Sequence, residues 1–119
     1  MTKPLHGIAF TQGFLTQAKA EGMTAAEVEN LVETLSLNPE AGELIVSSGG
    51  CRKVRLAGRG KGKSGGYRVV TYFAHVEMPV YVIAVLSKGS RENFTPAEVA
   101  AMAKASAVIL ALNRRRAAG

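Results

Sequence analysis

The stretch from Gly58 to Gly66 reads Gly-Arg-Gly-Lys-Gly-Lys-Ser-Gly-Gly, with five glycines in nine residues. Glycine weakens helices and strands because it gives up more backbone freedom on folding than any other residue. The stretch is therefore a connection, and what flanks it must be separate elements. Upstream, Arg52 to Leu56 mixes charged and apolar residues, predicting a strand with Lys53 and Arg55 on one face. Downstream, Tyr67 to Ala74 is rich in β-branched and aromatic residues and predicts a second strand. After a turn at His75 to Met78, Pro79 to Leu86 predicts a third, with Pro79 at its start where a missing N–H is tolerated. Links this short favour an antiparallel meander.

Helices bracket the strands. Thr24-Ala25-Ala26-Glu27 has the capping-box pattern, followed by Val28, Leu31, Val32 and Leu35 on one apolar face. Asn38-Pro39 ends this helix, because the residue before proline disfavours helical ψ. Thr95-Pro96-Ala97-Glu98 opens a last helix expected to run to about Leu112. Arg114, Arg115 and Arg116 follow in a basic tail (113–119), where cations suit the helix dipole. A short strand over Leu5 to Phe10 and a short helix over Gln12 to Ala20 are expected at the start. Glu40 to Gly50 and Ser87 to Phe94 read as loops. A chain of 119 residues is one domain, 1–119. The expected class is α+β: a small antiparallel sheet packed against two or three helices, all on one side.

Charge is unevenly placed. The net charge is +6, there is no Asp, and six of the nine Glu lie between Glu21 and Glu43. No acid occurs between Glu43 and Glu77, where Arg52, Lys53, Arg55, Arg59, Lys61, Lys63 and Arg68 all fall. Such a run makes a local positive field suited to nucleic acid, an anionic surface or an acidic protein. Cys51 is the one cysteine and reads as a buried inert thiol; a structural zinc site needs more Cys or His than the chain has. No metal or cofactor is expected. The N-terminus shows no signal-peptide pattern, and no apolar stretch reaches the roughly 18 residues of a membrane span. The expectation is a soluble, cytoplasmic protein with no membrane contact.

Ala57 to Ser64 fits a relaxed phosphate-loop pattern ending Gly62-Lys63-Ser64. A true phosphate loop passes into a helix N-terminus, whereas here Tyr67 to Val70 starts a strand. Nucleotide hydrolysis is set aside on that ground.

The segments Asn38-Pro39-Glu40-Ala41-Gly42, Gly49 to Arg55 and Gly60 to Val70 together resemble RelE/ParE-superfamily toxins of the RelE/HigB kind. The likeness continues through Pro79 to Ile83, Lys88 and Asn93 to Glu98, spanning about residues 24 to 112, and is looser over 1–20. It implies a RelE-like fold and a ribosome-dependent mRNA endonuclease held inactive by an antitoxin. It also implies a site: Lys53 and Arg55 on one strand, Arg68 after the glycine turn and Lys88 after the last strand. Some enzymes of this kind carry a tyrosine near the C-terminal end, and here none follows Tyr81.

RNA cleavage without metal uses attack of the 2′-OH on the adjacent phosphorus, which needs a base, an acid and cations. A lysine among cations has its charged form disfavoured, so Lys53 or Lys63 suits the base. Arg55 and Arg68 keep their protons and suit charge stabilisation. Lys88 suits the acid or a further clamp. His6 and His75 are far apart, with His75 in a turn, and are not assigned as a pair. Arg52, Arg59, Lys61, Lys63 and Arg91 are candidates to grip RNA. Tyr72 shares a strand face with Arg68 and is either a base-binding or proton-donating residue or an ordinary sheet residue. Phe94 reads as a hydrophobic staple or a stacking surface. Two further readings remain: a ParE-like gyrase inhibitor on the same fold, and a non-catalytic basic binding module.

Overall fold

The computed structural model describes residues 6–57, 66–87 and 93–118. The elements run β1 (Ile8–Phe10), α1 (Gln12–Glu21), α2 (Ala25–Leu37), β2 (Glu43–Leu44), β3 (Cys51–Leu56), β4 (Tyr67–Tyr72), β5 (Val80–Ser87) and α3 (Pro96–Ala118). The fold is α+β, with the five strands in the order β1-β5-β4-β3-β2.

Local chemistry sets the helix starts. Thr24 Oγ1 accepts from Glu27 N–H while Glu27 Oε1 accepts from Thr24 N–H, closing the expected capping box. Thr95 and Glu98 repeat it at α3. Thr11 caps α1 through Phe14 N–H and donates back to β5 at the Val82 and Ile83 carbonyls.

The sheet departs from the expected antiparallel meander at its edges. β1 pairs with β5 in parallel, so the sheet is mixed. β2, inside a stretch expected to be loop, adds a two-residue strand beside β3.

The helices lie on both faces, not one. Phe14 and Ala18 of α1 and Leu31 and Leu35 of α2 pack with Val54, Leu56, Tyr67, Val69, Val82 and Val85. Met102 and Ile109 of α3 pack on the opposite face with Cys51, Val70 and Tyr72. A register shift between β4 and β5 makes this possible. Thr71 faces Val82 but Val70 faces Ala84, so Ile83 is the extra residue of a bulge. Val82 and Val85 thereby join one core while Ile83 and Ala84 join the other.

The last helix continues beyond Leu112, so Arg114 to Arg116 lie within it and form no separate tail. By length and composition alone, Pro96–Arg115 is apolar enough to cross a membrane, although Glu98 and Lys104 interrupt its apolar run. Close approach seats this helix. Gly49 has φ +78°, and a Cβ there would collide with Ser106 Oγ. Ser106 Oγ in turn donates to the Ser48 carbonyl, and Asn113 Nδ2 donates to Tyr81 Oη.

Candidate functional site

Strand register decides which cations meet. Side chains alternate between faces, and directly opposed residues share a face. On the α3 side, three cross-strand rows result: Arg55–Arg68–Leu86, then Lys53–Val70–Ala84, then Cys51–Tyr72–Tyr81. Met102 and Ile109 of α3 pack with Val70 and the last row. The cationic rows lie toward the end of the sheet where the glycine-rich connection joins β3 to β4. There Gly66 passes the Leu56 carbonyl so closely that a Cβ would stand 2.6 Å from the oxygen.

Lys53, Arg55 and Arg68 are thus on one face of adjacent strands. Arg55 is exposed, Lys53 half-buried, and Arg68 only 5% exposed. Neighbouring strands are ~4.8 Å apart, so Arg55 and Arg68 present two guanidinium stems to one locality. Guanidinium groups match phosphate oxygens in fork geometry.

Other sequence candidates fall elsewhere. Arg52 belongs to the opposite face, where its guanidinium donates to the Gly42 carbonyl at 3.0 Å. Tyr72 does share the face of Arg68, but it is 4% exposed beneath α3, and burial pushes its hydroxyl pKa up. Arg59, Lys61, Lys63, Lys88 and Arg91 lie outside the described residues. Cys51 is fully buried, as expected of an inert thiol. Burial pushes it up to about 11 against a smaller lowering from the Ser48 hydroxyl.

None of the three tyrosines faces the cationic rows with a free ring. Tyr67 is on the α1/α2 side and donates to Glu27 Oε1 at 3.1 Å; burial first and the Glu27 carboxylate second raise its pKa. Tyr81 accepts from Asn113 at the far row.

Two cavities help to orient the site. One of about 540 Å³ sits on α2, lined by Val28, Val32 and Leu37 with Glu29 and Glu33, and its charge is wrong for phosphate. A smaller one of about 160 Å³ adjoins the cationic rows, and its described lining includes Gln17, Ala84, Leu86, Phe94, Glu98 and Met102. These residues come from α1, β5, α3 and the turn before it. Of these, only Phe94 is a binding candidate in the sequence, because no spacing rule links residues of separate elements.

A family model described as the RelE toxin of the RelE/RelB toxin–antitoxin system matches residues 8–118. The match reaches further than the resemblance over 24 to 112, taking in β1, α1 and all of α3. With the α+β fold and the shared cationic face, this covers almost the whole chain, and the protein belongs to the RelE family of toxin–antitoxin toxins.

Proposed function

We propose that this toxin cleaves mRNA on the translating ribosome, in the cytoplasm, without a metal ion, and that an antitoxin partner silences it. The observation that carries the reading is the register that sets Arg55 opposite Arg68 with Lys53 in the next row. Toxins of the family are in general endoribonucleases, which agrees with this reading.

In the proposed mechanism, Lys53 takes the proton from the ribose 2′-OH. The freed oxygen attacks the adjacent phosphorus, forming a 2′,3′-cyclic phosphate as the bond to the 5′ oxygen breaks. Exposed Arg55 donates to the non-bridging oxygens as their charge grows, and the more buried Arg68 adds its positive field from the opposed position; such preorganised charge is usually the largest catalytic term. Lys88, which the resemblance matches to a basic residue of the site, is the candidate to give its proton to the leaving 5′ oxygen. The engagement of Tyr67 with Glu27 and Tyr81 with Asn113, and the burial of Tyr72, speak against a tyrosine in that role.

The test is primer-extension mapping of transcript ends after brief expression. Cuts within ribosome-bound codons support the reading; intact transcripts with inhibited DNA supercoiling by the purified protein would replace it with gyrase inhibition. The antitoxin surface that covers the cations should be acidic, because a positive face desolvates best against anionic groups.

A further inference from the structure

We propose that the cavity of about 160 Å³ beside the cationic rows holds one nucleobase of the RNA strand. The proposal rests on the nuclease reading for its substrate, while its location stands on geometry alone. Each cationic row runs into the cavity wall: Arg55–Arg68 continues across the sheet to Leu86, and Lys53–Val70 continues to Ala84. A nucleotide bound by its phosphate at the arginines therefore has an apolar recess one strand away.

The recess has the chemistry of a base site. Its walls are Ala84, Leu86, Met102 and the ring of Phe94, and flat bases stack on aromatic and apolar side chains. Its volume lies well below the roughly 300–1,000 Å³ of sites for larger ligands, so it suits a single ring system. Among the described lining residues there is no cation for phosphate.

The rim carries a donor. β1 pairs with β5 only as far as Val82, so the edge of β5 beyond it needs other partners. Gln17 Oε1 accepts from Val85 N–H at 3.0 Å. A backbone N–H can only donate, so the carbonyl end of this carboxamide is committed to the sheet and its Nε2 is the end that can donate to a ligand. Glu98, whose Oε1 accepts from Thr95 N–H, is part of the same lining. A carboxamide donor at the rim can read an acceptor on a base edge. The cavity would then select which base sits next to the cut.

The test uses the full chain with methyl-labelled Met, Leu and Ala, titrated by NMR with AMP, CMP, GMP and UMP at millimolar concentration. Ribose 5-phosphate, which has the phosphate but no base, serves as the reference. The expected result is movement of the Met102, Leu86 and Ala84 methyl signals with at least one nucleotide and none with ribose 5-phosphate. Gln17→Glu keeps the acceptor for Val85 N–H but removes the donor. Phe94→Leu keeps an apolar side chain but removes the ring. Each should weaken the preferred nucleotide about five- to tenfold while the protein stays folded. Silent methyls, equal movement with ribose 5-phosphate, or unweakened binding in both variants would overturn the proposal. Transcript mapping run alongside separates the two ideas. Shifting methyls with uncut transcripts would sink the nuclease reading and leave the base cavity, and cut transcripts with silent methyls would do the reverse.

Discussion

Arg55 and Arg68 sit directly opposite one another on β3 and β4, on the sheet face that α3 only partly covers. Like charges in directly opposed positions are destabilising in a sheet. Their pairing gathers positive charge at one place, which is what an anion site requires.

Replacing the exposed member of the pair should separate stability from activity. Arg55→Ala is expected to slow cleavage of ribosome-bound mRNA about 10²-fold, the scale of losing one transition-state donor. Its melting temperature should stay level or rise slightly, because the repulsion with Arg68 is gone. Single-turnover cleavage with calorimetry on the same preparation checks both, and an unchanged rate would remove Arg55 from the mechanism.

Phosphate contacts leave a signature in salt. For single strands, log K falls with log salt by about 0.7 per phosphate neutralised. Arg55→Ala and Lys53→Ala should each flatten the slope by about that amount in anisotropy titrations with a short RNA. Lys19→Ala, on the exposed side of α1, should leave it as it was.

Cys51 predicts an alkaline weakness. Its thiol is raised from 9.0 to about 11 by burial beneath α3, so the folded state favours the protonated form. The contribution is fully present below about pH 9 and is lost as pH rises through about 11. Two units correspond to roughly 2–3 kcal/mol. Denaturant unfolding between pH 8 and 11 should show this decline, and Cys51→Ala should flatten that part of it. The buried thiol should also resist alkylation near pH 8 until the protein is unfolded.

The seat of α3 can be probed at Gly49. Its positive φ and the place its Cβ would take against Ser106 Oγ make Gly49→Ala costly by about 1–3 kcal/mol. A lower urea midpoint at an unchanged slope is the expected readout. Gly22→Ala isolates the backbone term, since its φ is also positive but nothing lies within 4 Å of its Cβ position, and it should cost less.

Much of the fold was legible locally. The two Thr-x-x-Glu boxes fixed where α2 and α3 begin, because a cap is made by residues three apart. The glycine run separated β3 from β4, and period-two alternation put Lys53 and Arg55 together and Tyr72 on the face of Arg68. The charge gap between Glu43 and Glu77 pointed to an anionic partner.

Tertiary structure alone decided the rest. The parallel pairing of β1 with β5 joins residues some seventy positions apart, beyond any local signal. α3 is so rich in alanine that its sequence names no single core face, and the choice of the side opposite α1 and α2 came from the fit of Met102, Ser106 and Ile109. That choice buried Tyr72 and left Arg55 open. The bulge at Ile83, set by packing on both faces at once, turned Ala84 and Leu86 toward the cations and made the small cavity. Sequence determined the elements and their chemistry, because caps and alternation act over a few residues. Which faces meet was settled by long-range packing, because only the assembled sheet brings those surfaces together.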